Sequence, residues 1–360
     1  MIDLRSDLHA RPTEEMWEAM RSAPLGWATY GEDPSVNELQ ERVAAMLGKE
    51  AAIWAPTCGM ANLVALLTFC ERGDRVVLEA ASHVLTSEAM GIVEVAGLAP
   101  RPVWAADGRM DPDEVGELVR TERATLLVLE NTHTRAGGTT LSPGQTAELA
   151  DAARHWDSRV HIDGARLVNA AVALEVPLAE LARAANSVVL SLNKALSAPM
   201  GAVLAGSDAV VDRARLWLRR LGGATVHKAG IPAAAGLVAL DTMLDRVADD
   251  HARARRLGEL VSEIPGLALD PPIVETNIVL VDVSATGLTA EELLGHLADA
   301  GLRVLERDTE RIRLVTHPLI GDPEVERAAE ILADVVARHS AVLELPEVEG
   351  FSELELDEPA

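Results

Sequence analysis

Between residues 38 and 245 the chain repeats one pattern, a short run of leucine and β-branched residues followed by a helix-sized segment. The strand-like runs are 75–79, 124–130, 159–163, 187–192 and 201–205. They are apolar along their length rather than alternating, which suits strands buried on both faces of a parallel sheet with crossover helices. Segments 146–155 and 178–185 read as two such crossovers. The pattern predicts an α/β sheet covered on both faces, whose ligands collect outside the carboxyl ends of the strands.

The rest of the chain is arranged around that sheet. Residues 1–33 have little periodicity and read as an arm lying over another surface. The large domain spans 34–245, and a long charged helix over 241–264 leads out of it. A smaller α/β domain occupies 246–342, with a strand at 277–283 and a helix at 289–300 capped by Thr289 and ended by Gly301. Runs 302–306 and 311–315 pair as strands, and 323–339 closes the domain as a helix. Seven carboxylates and no basic residue fall within 343–360, which reads as a solvated, disordered acidic tail.

Charge narrows the partners. A formal net charge of −25 argues against nucleic acid and anionic membrane, both of which need local positive charge. The apolar stretches are too short to span a bilayer, and the first eleven residues lack a secretory layout. With only Cys58 and Cys70, no disulfide framework organises the fold, and a cytoplasmic setting is expected. No metal site is read from the sequence.

Polar residues gather at the expected strand ends: Asn131 and His133, Asp163 and Arg166, Asn193 and Lys194. A carboxylate that closes an apolar strand before a glycine, as Asp163 does, is either a metal or cofactor partner or a helix N-cap. A lone lysine at such a place is most often a surface residue with its stem along an apolar wall. Together the two suit pyridoxal 5′-phosphate (PLP). The lysine forms an imine with the cofactor, and the carboxylate keeps the pyridine nitrogen protonated so that the ring draws electrons from a substrate's α-carbon.

Further motifs stand around this pair in a fixed order: Leu4-Arg5-Ser6-Asp7 with Arg11-Pro12, Tyr30-Gly31-Glu32-Asp33-Pro34, Gly48-Lys49-Glu50, Ala61-Asn62, and His83 with Glu88. Then come Leu129-Glu130-Asn131-Thr132-His133, Asp163-Gly164-Ala165-Arg166, Lys194, Ala233-Ala234-Ala235-Gly236 and Arg313-Leu314-Val315-Thr316-His317. In this set and order the chain resembles the low-specificity threonine aldolases, from Asp3 to about His339. The resemblance implies the PLP-dependent, aspartate-aminotransferase-like fold of type I, with a mainly parallel large-domain sheet and a smaller C-terminal α/β domain. It implies retro-aldol cleavage of a β-hydroxy-α-amino acid to glycine and an aldehyde, in a homodimer or homotetramer with shared active sites.

Carried over residue by residue, the resemblance gives Lys194 the imine and Asp163 the ring nitrogen. His83 stacks on the cofactor near the substrate's β-hydroxyl, and His133 is either a base or a structural hydrogen-bond partner. Arg166 and Arg313 clamp the substrate carboxylate, with Ser6 and Tyr30 assisting. The chain departs from the family where the cofactor phosphate is held. Cys58 and Gly59 replace a Gly-Thr pair, which leaves backbone N–H groups for the phosphate, and Cys58 reads as a small buried residue. His227, beside Lys228, stands where an arginine is usual. Asn193 and Ala195 flank the lysine, Trp27 and Ala28 replace an acidic pair, and Leu8-His9-Ala10 replaces a threonine-rich stretch.

The same scaffold also serves β-elimination, transaldol transfer and racemisation, so these remain alternatives. A non-catalytic PLP or amino-acid binder is disfavoured by retention of the reactive residues. A nicotinamide dehydrogenase is disfavoured because no Gly-x-Gly-x-x-Gly follows an early strand.

Overall fold

Seven strands form the central sheet of the computed structural model, which describes residues 1–339. In chain order they are β1 (Ala51–Ala55), β2 (Arg75–Glu79), β3 (Ala99–Val103), β4 (Leu126–Glu130), β5 (Arg159–Gly164), β6 (Ser187–Ser191) and β7 (Ala202–Gly206). In space the order is β1-β7-β6-β5-β4-β2-β3. Strands β2 to β6 run parallel, and β7 lies antiparallel between β1 and β6. The sheet is thus mainly parallel, as expected, and the exception among the strands read from the sequence is 201–205. That strand follows β6 through a short loop, with no crossover helix to bring it round in the parallel sense.

The two strands absent from the sequence reading have unhelpful compositions. Strand β1 is Ala-Ala-Ile-Trp-Ala, whose alanines favour helix. Strand β3 contains Pro100 and Pro102, which only an edge position tolerates because one side needs no N–H donors.

A second sheet follows, built from β8 (Ala268–Leu269), β9 (Ile278–Asp282), β10 (Leu305–Asp308) and β11 (Arg311–Val315), in the order β10-β11-β9-β8 and antiparallel throughout. It has its own hydrophobic core, in which Leu257, Val279, Leu297, Leu314 and Leu332 are fully buried. The helix expected over 241–264 is two helices, Gly230–Thr242 and Val247–Ser262. The break has a packing cause: Met243 and Val247 face the first core while Ala254, Leu257 and Val261 face the second.

The arm is more structured than its sequence suggested. Ile2–Asp3 forms a parallel ladder with Leu302–Arg303, and Leu4 joins the second core. Residue pair 302–303 therefore serves the arm, leaving Leu305–Asp308 to pair with β11. Glu14–Ser22 is a helix capped by the Thr13 hydroxyl and packed on the Gly230–Thr242 helix. The acidic segment 343–360 lies outside the described residues, as does the end of the 246–342 unit. No helix among the described residues is long and apolar enough to cross a membrane.

Candidate active site

Strand ends β2, β4, β5 and β6 bring Glu79, Glu130, Asp163 and Lys194 to one edge of the sheet. Asp163 is 1% exposed. Its carboxylate accepts hydrogen bonds from Asn62 Nδ2 at 3.0 Å and from the Ala165 N–H at 3.1 Å, and the Cys58 Sγ lies 3.9 Å away. Burial, reinforced by the nearby Glu130 and Glu88 carboxylates, pushes its pKa up to about 6. No cation makes a salt bridge to it among the described residues. The N-cap alternative is not realised, since the following helix begins only at Leu167.

Behind Asp163 runs a chain of hydrogen bonds. Asn62 Nδ2 also donates to Glu88 at 2.8 Å, and its Oδ1 lies 3.2 Å from His161 Nε2. The other ring nitrogen of His161 is 2.7 Å from the Ser187 hydroxyl. Burial pulls the His161 pKa down to about 3, so the ring is neutral at physiological pH. A neutral ring that donates through Nε2 to the Asn62 oxygen must accept the Ser187 proton at Nδ1. The Asn62 amide, and with it Asp163, is thereby fixed.

Two histidines face this centre, each held by a carboxylate. His83 Nδ1 is 3.0 Å from Glu88, and that bond raises the imidazole pKa. The His83 backbone N–H donates to Glu130 at 2.7 Å, and Nε2 has no hydrogen-bond partner among the described residues. His133 Nε2 is 2.8 Å from Glu79, and Nδ1 is buried without a partner. Burial works against the protonated His133 ring, but Glu130 and Glu79 outweigh it and raise the pKa. A Cβ on Gly108, whose φ is +77°, would fall 2.6 Å from the His133 ring, so this packing requires glycine there.

The two candidate clamp arginines differ. Arg166 is buried and its fork is already engaged: Nε and Nη2 each donate to Asp7 at 2.8 Å, and Nη1 donates to the Thr134 hydroxyl at 2.9 Å. Burial alone would raise the Asp7 pKa, but Arg166 overrides it and brings Asp7 down to about 2. Arg313 has no carboxylate partner among the described residues. Its Nη2 reaches only the Arg5 carbonyl at 3.2 Å, its Nε is buried without a partner, and burial together with Arg166 lowers its pKa to about 10. The two members of the expected clamp are therefore not alike: Arg313 lacks a carboxylate partner among the described residues, and Arg166 has two N–H groups to spare. Ser6 is buried at 3.4 Å from Asp7, beside this pair.

Lys194 is 9% exposed and makes no hydrogen bond or ion pair among the described residues, although its charge stabilises both the Asp7 and Asp163 carboxylates. At the start of the Cys58–Phe69 helix, Thr57 caps Met60 while the Cys58 and Gly59 N–H groups have no partners among the described residues. A Cβ on Gly59 would touch only Glu88, at 3.5 Å. Cys58 is half-buried, and burial, then Asp163, keep its thiol protonated. An unpartnered amine, a buried carboxylate lacking a cation and an open helix start form a donor set that fits PLP. Lys194 would take its aldehyde, Asp163 its ring nitrogen, and the Cys58 and Gly59 N–H groups its phosphate.

Three expected residues are not brought to this place. Tyr30 is 61% exposed and packs edge-on against Trp27. His227 and Lys228 are exposed in the turn before the Gly230–Thr242 helix, with the His227 ring 6.2 Å from Trp27. Conversely, the sequence reading gave no role to Asn62, Glu88, His161, Ser187, Asp7 or Glu79. Asp7, Asn62 and Glu88 stand in the ordered motifs quoted above, which was the one available signal for them.

The beta-eliminating lyase family model matches residues 3–286. The chain is 37% identical over 349 residues to the low specificity L-threonine aldolase of Escherichia coli strain K12, covering 95% of this chain and 99% of that one. A threonine aldolase structure from Leishmania major matches with a TM-score of 0.79 at 17% identity, covering 93% of this chain and all of that one. An aspartate aminotransferase from Rhodobacter sphaeroides 2.4.1 matches with a TM-score of 0.73 at 18% identity, covering 94% and 92%.

Proposed function

Because the chain belongs to the beta-eliminating lyase family and is a relative of the low-specificity threonine aldolases, we propose that it is a PLP-dependent lyase. Its reaction is the retro-aldol cleavage of a threonine-like β-hydroxy-α-amino acid to glycine and an aldehyde. One observation carries this reading: Lys194, without a hydrogen-bond partner among the described residues, and the cation-poor Asp163 both act on the His83 imidazole. That imidazole has a ring nitrogen within 4.8 Å of an Asp163 oxygen and an Nε2 that makes no hydrogen bond among those residues.

When bound, PLP supplies an electron-withdrawing ring in conjugation with the substrate's α-carbon. The protein's own part is to orient and to move protons. Arg313, helped by Ser6 and the two spare N–H groups of Arg166, takes the substrate's α-carboxylate and so decides which bond at the α-carbon is aligned for breaking. His83 removes the β-hydroxyl proton at Nε2, with Glu88 at Nδ1 making the ring more basic. Asp163 stays ionised against the protonated ring nitrogen, held in place by Asn62 and the Ala165 N–H. Incubating the holo-protein with L-threonine and longer β-hydroxy amino acids should yield glycine and the matching aldehyde in equal amounts. Ammonia with a keto acid, or the substrate's enantiomer, would overturn this reading.

The reading includes an oligomer with shared sites. Trp27 and Tyr30 leave an exposed aromatic pair on the arm, with His227 and Lys228 exposed beside it, and Leu8 is exposed as well. On a neighbouring copy His227 and Lys228 would supply charge to the phosphate. Sedimentation velocity of the holo-protein should give a dimer or tetramer, and a fully active monomer would rule the arrangement out. A cytoplasmic setting is supported by the two unpaired cysteines, and cell fractionation tests it.

A further inference from the structure

A cleft of about 450 Å³ opens beside the site, bounded by His133 and Arg135 on one side and by Arg307, Arg311 and Asp270 on the other, with Trp104 at 83% exposure on its lip. His133 is common to this cleft and to the catalytic centre. Its charge is unusual for so acidic a chain. The three carboxylates that line it are already spoken for: Glu79 by His133 at 2.8 Å and the Ala81 N–H at 2.6 Å, Asp107 by Arg109 at 2.9 Å, and Asp270 by Arg311 at 2.9 Å.

Two guanidinium groups are left over. Arg307 Nε donates to the Arg135 carbonyl at 2.6 Å, and Arg135 Nη2 lies 3.4 Å from the Arg307 carbonyl. Each side chain is thus pinned through a single N–H, which leaves four of its five donors unspent. The nearest carboxylate to Arg307 is Asp308 at 3.8 Å, beyond hydrogen-bond length and shared with Arg311. Arg135 makes no ion pair among the described residues. Both charges also bear on Arg313, so the α-carboxylate clamp and this pair form one field of positive charge. Like charges crowded together with too few counterions are costly, and a bound anion lowers that cost.

We propose that Arg135 and Arg307 bind a carboxylate at the far end of the substrate's side chain, so that the preferred substrates are β-hydroxy-α-amino dicarboxylic acids. The proposal rests on the aldolase reading above and narrows it. The smallest such substrate is 3-hydroxyaspartate. Its Cα–Cβ bond breaks with the electron pair left on Cα, the β-hydroxyl proton departs, and Cβ becomes the aldehyde of glyoxylate. Proton return to Cα completes glycine. A planar fork suits this task because it meets both oxygens of a carboxylate, and discrimination follows because a neutral side chain leaves two half-buried cations unmatched.

The test uses the holoenzyme and two readouts. In the first, kcat/KM for 3-hydroxyaspartate should exceed that for threonine by about tenfold or more. Arg307→Gln and Arg135→Gln should each lower the value for the acidic substrate by about 10- to 100-fold, while threonine stays within about threefold. In the second, L-aspartate and L-asparagine, which have no β-hydroxyl and cannot be cleaved, are titrated against the absorbance of the bound cofactor. Aspartate should bind about tenfold more tightly, and the preference should vanish in both variants. Equal binding of the two, or variants that weaken both substrates alike, would overturn the proposal. Aspartate preference without cleavage of any β-hydroxy amino acid would uphold the anion site and refute the aldolase reading instead.

Discussion

Asp163→Asn is expected to lower turnover by about 10³-fold while making the cofactor-free protein more stable than the parent at pH 8. Both effects come from the same buried charge. The asparagine offers one acceptor oxygen where the carboxylate uses two, Oδ2 for Asn62 and Oδ1 for the Ala165 N–H, so one of these bonds is lost at about 1 kcal/mol, less than the buried charge costs; nor can it hold a proton on the ring nitrogen. The folded carboxyl keeps its proton up to about pH 6, whereas the ordinary value is 3.8. Between those values the folded state carries a proton that the unfolded state has lost. Stability therefore falls as pH rises through that window and stays lower above it, by about 3 kcal/mol. Melting curves of both cofactor-free proteins at pH 5 and pH 8 separate the outcomes: the variant's advantage should be confined to the higher pH. Near-normal turnover, or no gain in melting temperature at pH 8, would remove Asp163 from its assigned role.

Lys194→Ala is expected to retain no cofactor after borohydride reduction and to lose about 10⁴-fold in turnover. The chain has three lysines, which makes the experiment sharp. Lys49 spends its ammonium on the carbonyls of Ala182 and Ala185, at 2.9 and 2.7 Å, and Lys228 is exposed. Only Lys194 combines burial with an amine that has no hydrogen-bond partner among the described residues. Mass spectrometry of the reduced parent protein should find the cofactor on Lys194 alone. A label on Lys49 or Lys228 would contradict the assignment.

The sheet was readable because burial on both faces writes itself into composition. Strands 75–79 and 187–191 stand out as apolar runs, whereas the proline-bearing edge strand 99–103 does not. The reactive pair was readable because a polar residue just past an apolar run is conspicuous. What supports the pair was not. Asn62, His161 and Ser187 lie on three different elements and meet through contacts more than twenty residues apart in sequence. The Asp7–Arg166 bond spans 159 residues, and no local pattern announces it. The Met243–Arg246 break was hidden because apolar residues continue across it, from Met243 and Leu244 to Val247, and only the core faced by the later ones changes.

The ladder between residues 2–3 and 302–303 has a consequence during synthesis. Asp7 and Ser6 follow directly on a strand whose partner is made some 300 residues later, so at about 5–20 residues per second they wait about 15–60 s for it. During the second half of that interval Arg166 has been made but its counterion has not been anchored. The nascent protein thus carries a half-formed carboxylate-binding corner, which closes only when the second sheet docks. Synthesis speed across the second unit, rather than across the large sheet, would then set the moment at which each new molecule becomes competent.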